Sequence, residues 1–155
     1  MNQDKTLILF EEIKEIEKKY SLNYEEIYQI IKNKDTISIP IDIFNEKLGS
    51  LETIVKYLKE NRGLNIQEIS FLTNRKPQSI RTTYNRSQKK LTEKLMFSSQ
   101  KTIPMNVLCN DSFSVLENLV LYLLNSNYSL TKISKILKRD YKTIWTITHR
   151  IKNKK

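Results

Sequence analysis

Apolar residues recur at intervals of three and four along most of this chain, and capping or helix-breaking residues bound each such stretch. Leu51, Ile54, Val55 and Leu58 share one face of a helix predicted over about residues 50–61. Gly63 is placed to end it, as a glycine just past a helix C-terminus does. Asn65 and Glu68 have the spacing of a capping box, opening a second helix that reaches about Leu72. A polar link, Thr73-Asn74-Arg75-Lys76, leads to Pro77, which suits the first turn of a third helix. The same order returns later in the chain. Leu116, Leu119, Val120 and Leu123 make one stripe, and Ile133, Ile136 and Leu137 make the next. Ile144, Ile147 and Ile151 face inward on a helix from about Tyr141. Clean alternation at period two occurs only over residues 37–43, where Pro40 argues against a central strand. With only two glycines and three prolines in 155 residues, sharp turns are few. The predicted class is all-α.

The recurrence is a sequence repeat. Residues 39–90 align with residues 103–155: Ile39-Pro40 with Ile103-Pro104, Leu51-Glu52 with Leu116-Glu117, Ile69-Ser70 with Ile133-Ser134, and Arg86 with Arg150. The offset is 64 residues at the start, 65 in the first helix and 64 again thereafter. A period this long points to two small domains of one kind rather than to a solenoid. Residues 1–38 resemble a clipped copy. Phe10, Ile13 and Ile16 form one helical stripe, and Asn23 with Glu26 repeats the capping box of Asn65 with Glu68. No basic third helix follows, so residues 5–33 are read as a two-helix half-unit. Residues 91–102 form a linker; Leu91, Leu95 and Met96 recur at helical spacing and are expected to prolong the preceding helix until about Ser98-Ser99.

A helix, a short helix, a tight polar turn and a longer basic helix make a helix-turn-helix unit, and this chain is expected to hold two in tandem. Asn65…Glu68-Ile69-Ser70 with Ser79-Ile80…Arg86, and Ser129…Ile133-Ser134 with Thr143-Ile144…Arg150, resemble the wingless helix-turn-helix of sigma-factor region 4 and of related archaeal and viral regulators. The resemblance covers about two thirds of the chain. It implies a DNA-binding protein that regulates transcription, with the third helix of each unit in the major groove. Two departures stand out. The family's small alanine is Ser70 in one unit and Ser134 in the other, and Thr73 stands where the second unit has Leu137, which would loosen the first core. Nothing in the chain corresponds to a promoter-melting region.

Charge follows the repeats. Residues 1–38 carry 6 basic and 8 acidic side chains, residues 39–102 carry 12 and 6, and residues 103–155 carry 9 and 3. A polyanion is the natural partner for the second and third of these segments. On the first third helix Ile80, Tyr84 and Ser87 should face the core. That leaves Gln78, Ser79, Arg81, Thr82, Asn85, Arg86 and Lys89 outside, with Arg75 and Lys76 in the turn before it. No acidic residue occurs between Glu68 and Glu93. Arginine can grip guanine, and glutamine or asparagine can grip adenine, through paired hydrogen bonds, while lysines suit phosphates. The second unit offers Arg139, Lys142, Thr143, Trp145, Thr146, His149 and Arg150. Trp145 would either pack at the edge of its domain or against the other unit, or meet a thymine methyl or a sugar edge. Because the two outward faces differ, two unlike half-sites are expected, spaced near one helical turn of DNA, about 34 Å.

Other chemistry finds little support. Two glycines build no phosphate-cradling loop, and one histidine and one cysteine suggest neither a catalytic constellation nor a metal site. No enzyme activity, cofactor or metal is expected. The lone Cys109 fits a reducing cytoplasm as a buried apolar residue. The longest apolar stretch, residues 115–124, is interrupted by Glu117-Asn118 and too short to span a bilayer. The expected partner is double-stranded DNA, bound by a monomer or weak dimer in the cytoplasm at the nucleoid. Structured RNA or the ribosome is the alternative ligand. A protein such as RNA polymerase is the other alternative, docked through the helices or through residues 1–38.

Overall fold

In a computed structural model, residues 2–33 and 37–154 are described. Helices α1 (Asn2–Tyr20) and α2 (Tyr24–Asn33) come first, followed by a short strand β1 (Ser38–Pro40). Three helices follow it, α3 (Ser50–Glu60), α4 (Ile66–Thr73) and α5 (Pro77–Lys90), packed on one another as a first trio. A second strand β2 (Thr102–Pro104) and a 3₁₀ turn (Met105–Cys109) lead to the second trio, α6 (Val115–Asn125), α7 (Leu130–Leu137) and α8 (Tyr141–Lys154). The architecture is mostly helical, in line with the expected class.

The two strands are the departure. The Ile-Pro sequence that begins each repeat forms a strand, and the two copies pair with each other, antiparallel, with Ile39 opposite Ile103. Both isoleucines are fully buried. Proline is tolerated because a two-stranded ribbon has only edges, so Pro40 and Pro104 need donate nothing to a further strand.

Local chemistry sets the helix limits. Asn65 accepts from the Glu68 amide at 2.9 Å while the Glu68 carboxylate accepts from the Asn65 amide, closing the expected box on α4. Ser114 and Glu117 do the same for α6. Gly49, with no side chain, leaves α3 only the Glu52 half of that arrangement, at 2.8 Å. Gly63 takes φ +72, the left-handed conformation its position after α3 requires. Pro77 occupies the first turn of α5.

The linker does not prolong α5. The helix stops at Lys90, and residues 91–101 run without helix to reach β2. Leu95 is buried, Phe97 meets Tyr57 edge-on at 5.6 Å, and Met96 is 86% exposed. The Asp42 carboxylate accepts from the amides of Ser98 and Ser99, both at 2.8 Å. Burial pushes that carboxyl up, and the two amides more than reverse it, leaving it below its usual range. The chain must return beside β1, and these ties hold the return path where a helix would overshoot it.

Residues 2–33 form the two expected helices. Helix α2 ends at Asn33 and β1 begins at Ser38. The Phe10–Ile13–Ile16 stripe is only half realised: Phe10 is exposed, as are Leu7, Ile8 and Leu9, whereas Ile13 and Ile16 are half-buried. Contact with the trios comes from the end of α1, where Tyr20 meets Phe71 edge-on at 5.4 Å.

One continuous cluster of buried apolar side chains runs from Tyr20 to Ile151 through both trios. Within it Lys56 is fully buried and paired with Glu60 at 2.8 Å. The Tyr84 hydroxyl and the Gln88 amide also donate to Glu60. Burial and the nearby Glu60 charge raise the Tyr84 hydroxyl above its ordinary pKa, although the Gln88 bond pulls the other way. Thr73, expected to loosen the first core, is buried with its hydroxyl donated to the Ile69 carbonyl at 2.7 Å. Cys109 is half-buried rather than buried, and its thiol donates to the Leu72 carbonyl.

Candidate nucleic-acid interface

In both trios the turn before the third helix is made the same way. Helix α4 ends on Asn74 with φ 50, and α7 ends on Lys138 with φ 51, both left-handed. That conformation costs a non-glycine residue on the order of 1–3 kcal/mol, least for asparagine. Equivalent hydrogen bonds hold it. The Arg75 amide donates to the Ser70 carbonyl and the Arg139 amide to that of Ser134. The Ser70 hydroxyl donates to the Arg75 carbonyl, and the Ser134 hydroxyl to the Arg139 carbonyl at 2.8 Å. Ser70 and Ser134 therefore tie each turn together. An alanine there would leave those carbonyls without this partner.

The far end of each third helix is fixed as well. Lys90 pairs with Glu52 at 2.8 Å and Lys154 with Glu117 at 2.9 Å. Each glutamate thus caps the first helix of its trio and holds the last turn of the third. The Ser114 amide and Lys154 keep the Glu117 carboxyl below the usual range. Burial pushes Glu52 up, but Lys90 and the Gly49 amide outweigh it, so it too lies low. These pairs were not among the expected functional residues. The signal was present: Glu52 aligns with Glu117, and Lys90 lies 64 residues before Lys154.

Between these fixed ends, α5 and α8 each expose one face. Helix α5 buries Ile80 and Ser87, half-buries Tyr84, and leaves Gln78, Ser79, Arg81, Thr82, Asn85, Arg86 and Lys89 exposed. Lys76 is exposed just before it and Arg75 is half-buried. Arg81 donates to the Gln78 amide oxygen at 3.3 Å. Helix α8 buries Ile144, Ile147, Thr148 and Ile151, and exposes Lys142, Thr143, Trp145, His149 and Arg150, with Thr146 half-buried. Thr82 and Thr146 occupy equivalent positions and donate their hydroxyls to equivalent carbonyls, those of Gln78 and Lys142. Neither helix contains an acidic residue.

Two of the expected residues have neighbours of their own. Trp145 is 47% exposed, and the His149 ring lies against it with centroids 3.8 Å apart and the ring planes tilted by 33°. Arg139, expected at the ligand surface, is half-buried and turned toward the first trio. Its guanidinium donates to the carbonyls of Leu48 at 2.7 Å, Asn45 at 3.2 Å and Lys138 at 2.9 Å.

Among the described residues, no group of three or more His, Cys, Asp or Glu side chains gathers where a metal could bind, and no helix is long and apolar enough to cross a membrane. No protein-family model matches the chain, and neither a curated protein nor a solved structure matches it.

Proposed function

We propose that the two trios are helix-turn-helix units and that the chain binds double-stranded DNA with sequence preference, as a transcription regulator. The observation that carries this reading is the pair of acid-free third helices. Each is 14 residues long, fixed at both ends by equivalent bonds, and carries basic side chains on its exposed face. In the first unit Gln78, Arg81 and Asn85 supply the side chains suited to base edges, with Arg86 and Lys89 toward phosphates. In the second, Lys142 and Arg150 flank the Trp145–His149 pair, which offers an aromatic surface to a thymine methyl or a sugar. The two faces read unlike sequences.

The test is selection of bound sequences from a random duplex pool, with Arg81→Ala and Trp145→Ala in parallel. A two-part motif is expected, one half relaxed by each substitution. Absence of enrichment above non-specific binding, or tighter binding to RNA at equal salt, overturns the reading.

A further inference from the structure

We infer that the two half-sites form an inverted, imperfect palindrome rather than a direct repeat; this rests on the DNA reading above. A duplicated unit can be related to its copy by translation along the chain or by a two-fold rotation. The two cases demand different operators, because units related by translation read both half-sites in one strand sense. A two-fold rotation reverses the second.

The ribbon decides between them. Ile39 faces Ile103, its own equivalent in the other repeat. On either side, Ser38 pairs with Pro104 and Pro40 with Thr102. Exchange of the repeats turns the first of these pairs into the second. The flanking hydrogen bonds obey the same exchange: the Ile41 amide donates to Lys101 at 3.0 Å, and the Met105 amide to Ile37 at 3.1 Å. Residues 41 and 105 are equivalent, as are 37 and 101. A local two-fold axis therefore passes between Ile39 and Ile103. Helices α3 and α6, also equivalent, pack against each other.

The relation extends to the reading elements. The end of α4 and the turn after it reach the 3₁₀ turn and the loop before α6: Cys109 donates to the Leu72 carbonyl, and Asn74 to Asp111 at 2.7 Å. Reciprocally, the α7–α8 turn reaches the loop before α3 through Arg139. Each unit's turn is thus braced by the other unit, next to the start of its third helix. The chain is an internal dimer whose halves share an arrangement and differ in their exposed side chains.

The test takes the two half-sites enriched by selection and places them in inverted and direct orientation, over a range of spacings, on otherwise identical duplexes. Binding of the full chain is measured by fluorescence anisotropy. An inverted arrangement should bind roughly a hundredfold tighter than a single half-site, because the second contact becomes intramolecular. Reversing one half-site should remove that gain at every spacing. Equal or tighter binding to a direct repeat overturns the inference and leaves the DNA reading intact, as does binding to a single half-site as tight as to any pair. Failure to enrich any sequence overturns both.

Discussion

The two trios share a backbone plan and disagree inside it. In the first, the fully buried Lys56 joins the partly buried Glu60, Tyr84 and Gln88 in a polar network. At the equivalent positions the second has Leu121, Asn125, Thr148 and Lys152, and Thr148 satisfies its hydroxyl within its own helix by donating to Ile144 at 2.9 Å. All four positions change together, since half of such a network is worse than none: a buried charge without its partner keeps its full desolvation cost. What both trios keep is the turn serine, the glutamate that caps one helix and holds another, and the isoleucine at the ribbon centre. Those residues determine where the third helix points. The network contributes to packing, for which there are several solutions, and the retained set serves orientation, for which this chain uses one.

The largest effect should come from breaking the network on one side. Lys56→Ala leaves the partly buried Glu60 without its cation and should cost about 3–5 kcal/mol, read as a lowered midpoint in urea. Lys56→Leu combined with Glu60→Asn copies the second trio and should recover most of that loss. If the single variant unfolds at the parent midpoint, the contrast between the two cores has no energetic content.

The outward faces of α5 and α8 offer the next comparison. Arg81→Ala and Trp145→Ala should each weaken DNA binding by about 1–3 kcal/mol, with each loss confined to its own half of the selected site. Trp145 is the sole tryptophan, so its emission should change when the second half-site is bound and stay constant with the first half-site alone. Arg139→Ala should cost roughly 1–3 kcal/mol of stability, because carbonyls in the loop before α3 lose a charged donor. It should widen the range of half-site spacings tolerated more than it lowers affinity for either half-site alone.

The smallest effects belong to the glutamate–lysine pairs. Glu52→Gln and Glu117→Gln should each cost about 1 kcal/mol or less at neutral pH, given the exposure of their lysines. Both carboxyls titrate lower in the folded chain than their ordinary value. Their contribution is therefore complete above the unfolded pKa, about 4.3, and fades as the pH falls through the folded values. Urea midpoints measured from pH 6 downward should decline less steeply below about pH 4.3 in the double variant than in the parent.

Helix limits were legible wherever a side chain closes a local ring: Asn65 with Glu68, Ser114 with Glu117, Pro77 at the head of α5. The outward faces of α5 and α8 followed from the helical spacing of Ile80, Tyr84 and Ser87 in one and of Ile144, Ile147 and Ile151 in the other. Features that depend on distant partners were not legible. Pro40 counts against a strand when only its own neighbours are considered, and ceases to once β2 lies beside β1 with no third strand beyond. The linker carries helical spacing at Leu91, Leu95 and Met96, yet Met96 points to solvent because Leu95 and Phe97 are claimed by the first trio. Nothing local to Lys56 marks it for burial, which follows only from α3 lying against both α5 and α6. Arg139 looks like its counterpart Arg75 in sequence and differs in the loop it meets.

The ribbon has a consequence for how the molecule forms. Ile39 and Ile103 lie 64 residues apart, so bringing them together closes a long loop before any reward is collected. Chain entropy sets that closure against folding by about 4 kcal/mol, leaving aside a constant. Among the described residues each strand pairs only with the other, and α3 and α6 pack against each other between the trios. Each trio therefore leaves part of the shared cluster uncovered while the other is unmade. The chain should melt in one step, and cutting it between α5 and β2 should yield two fragments that fold only when mixed.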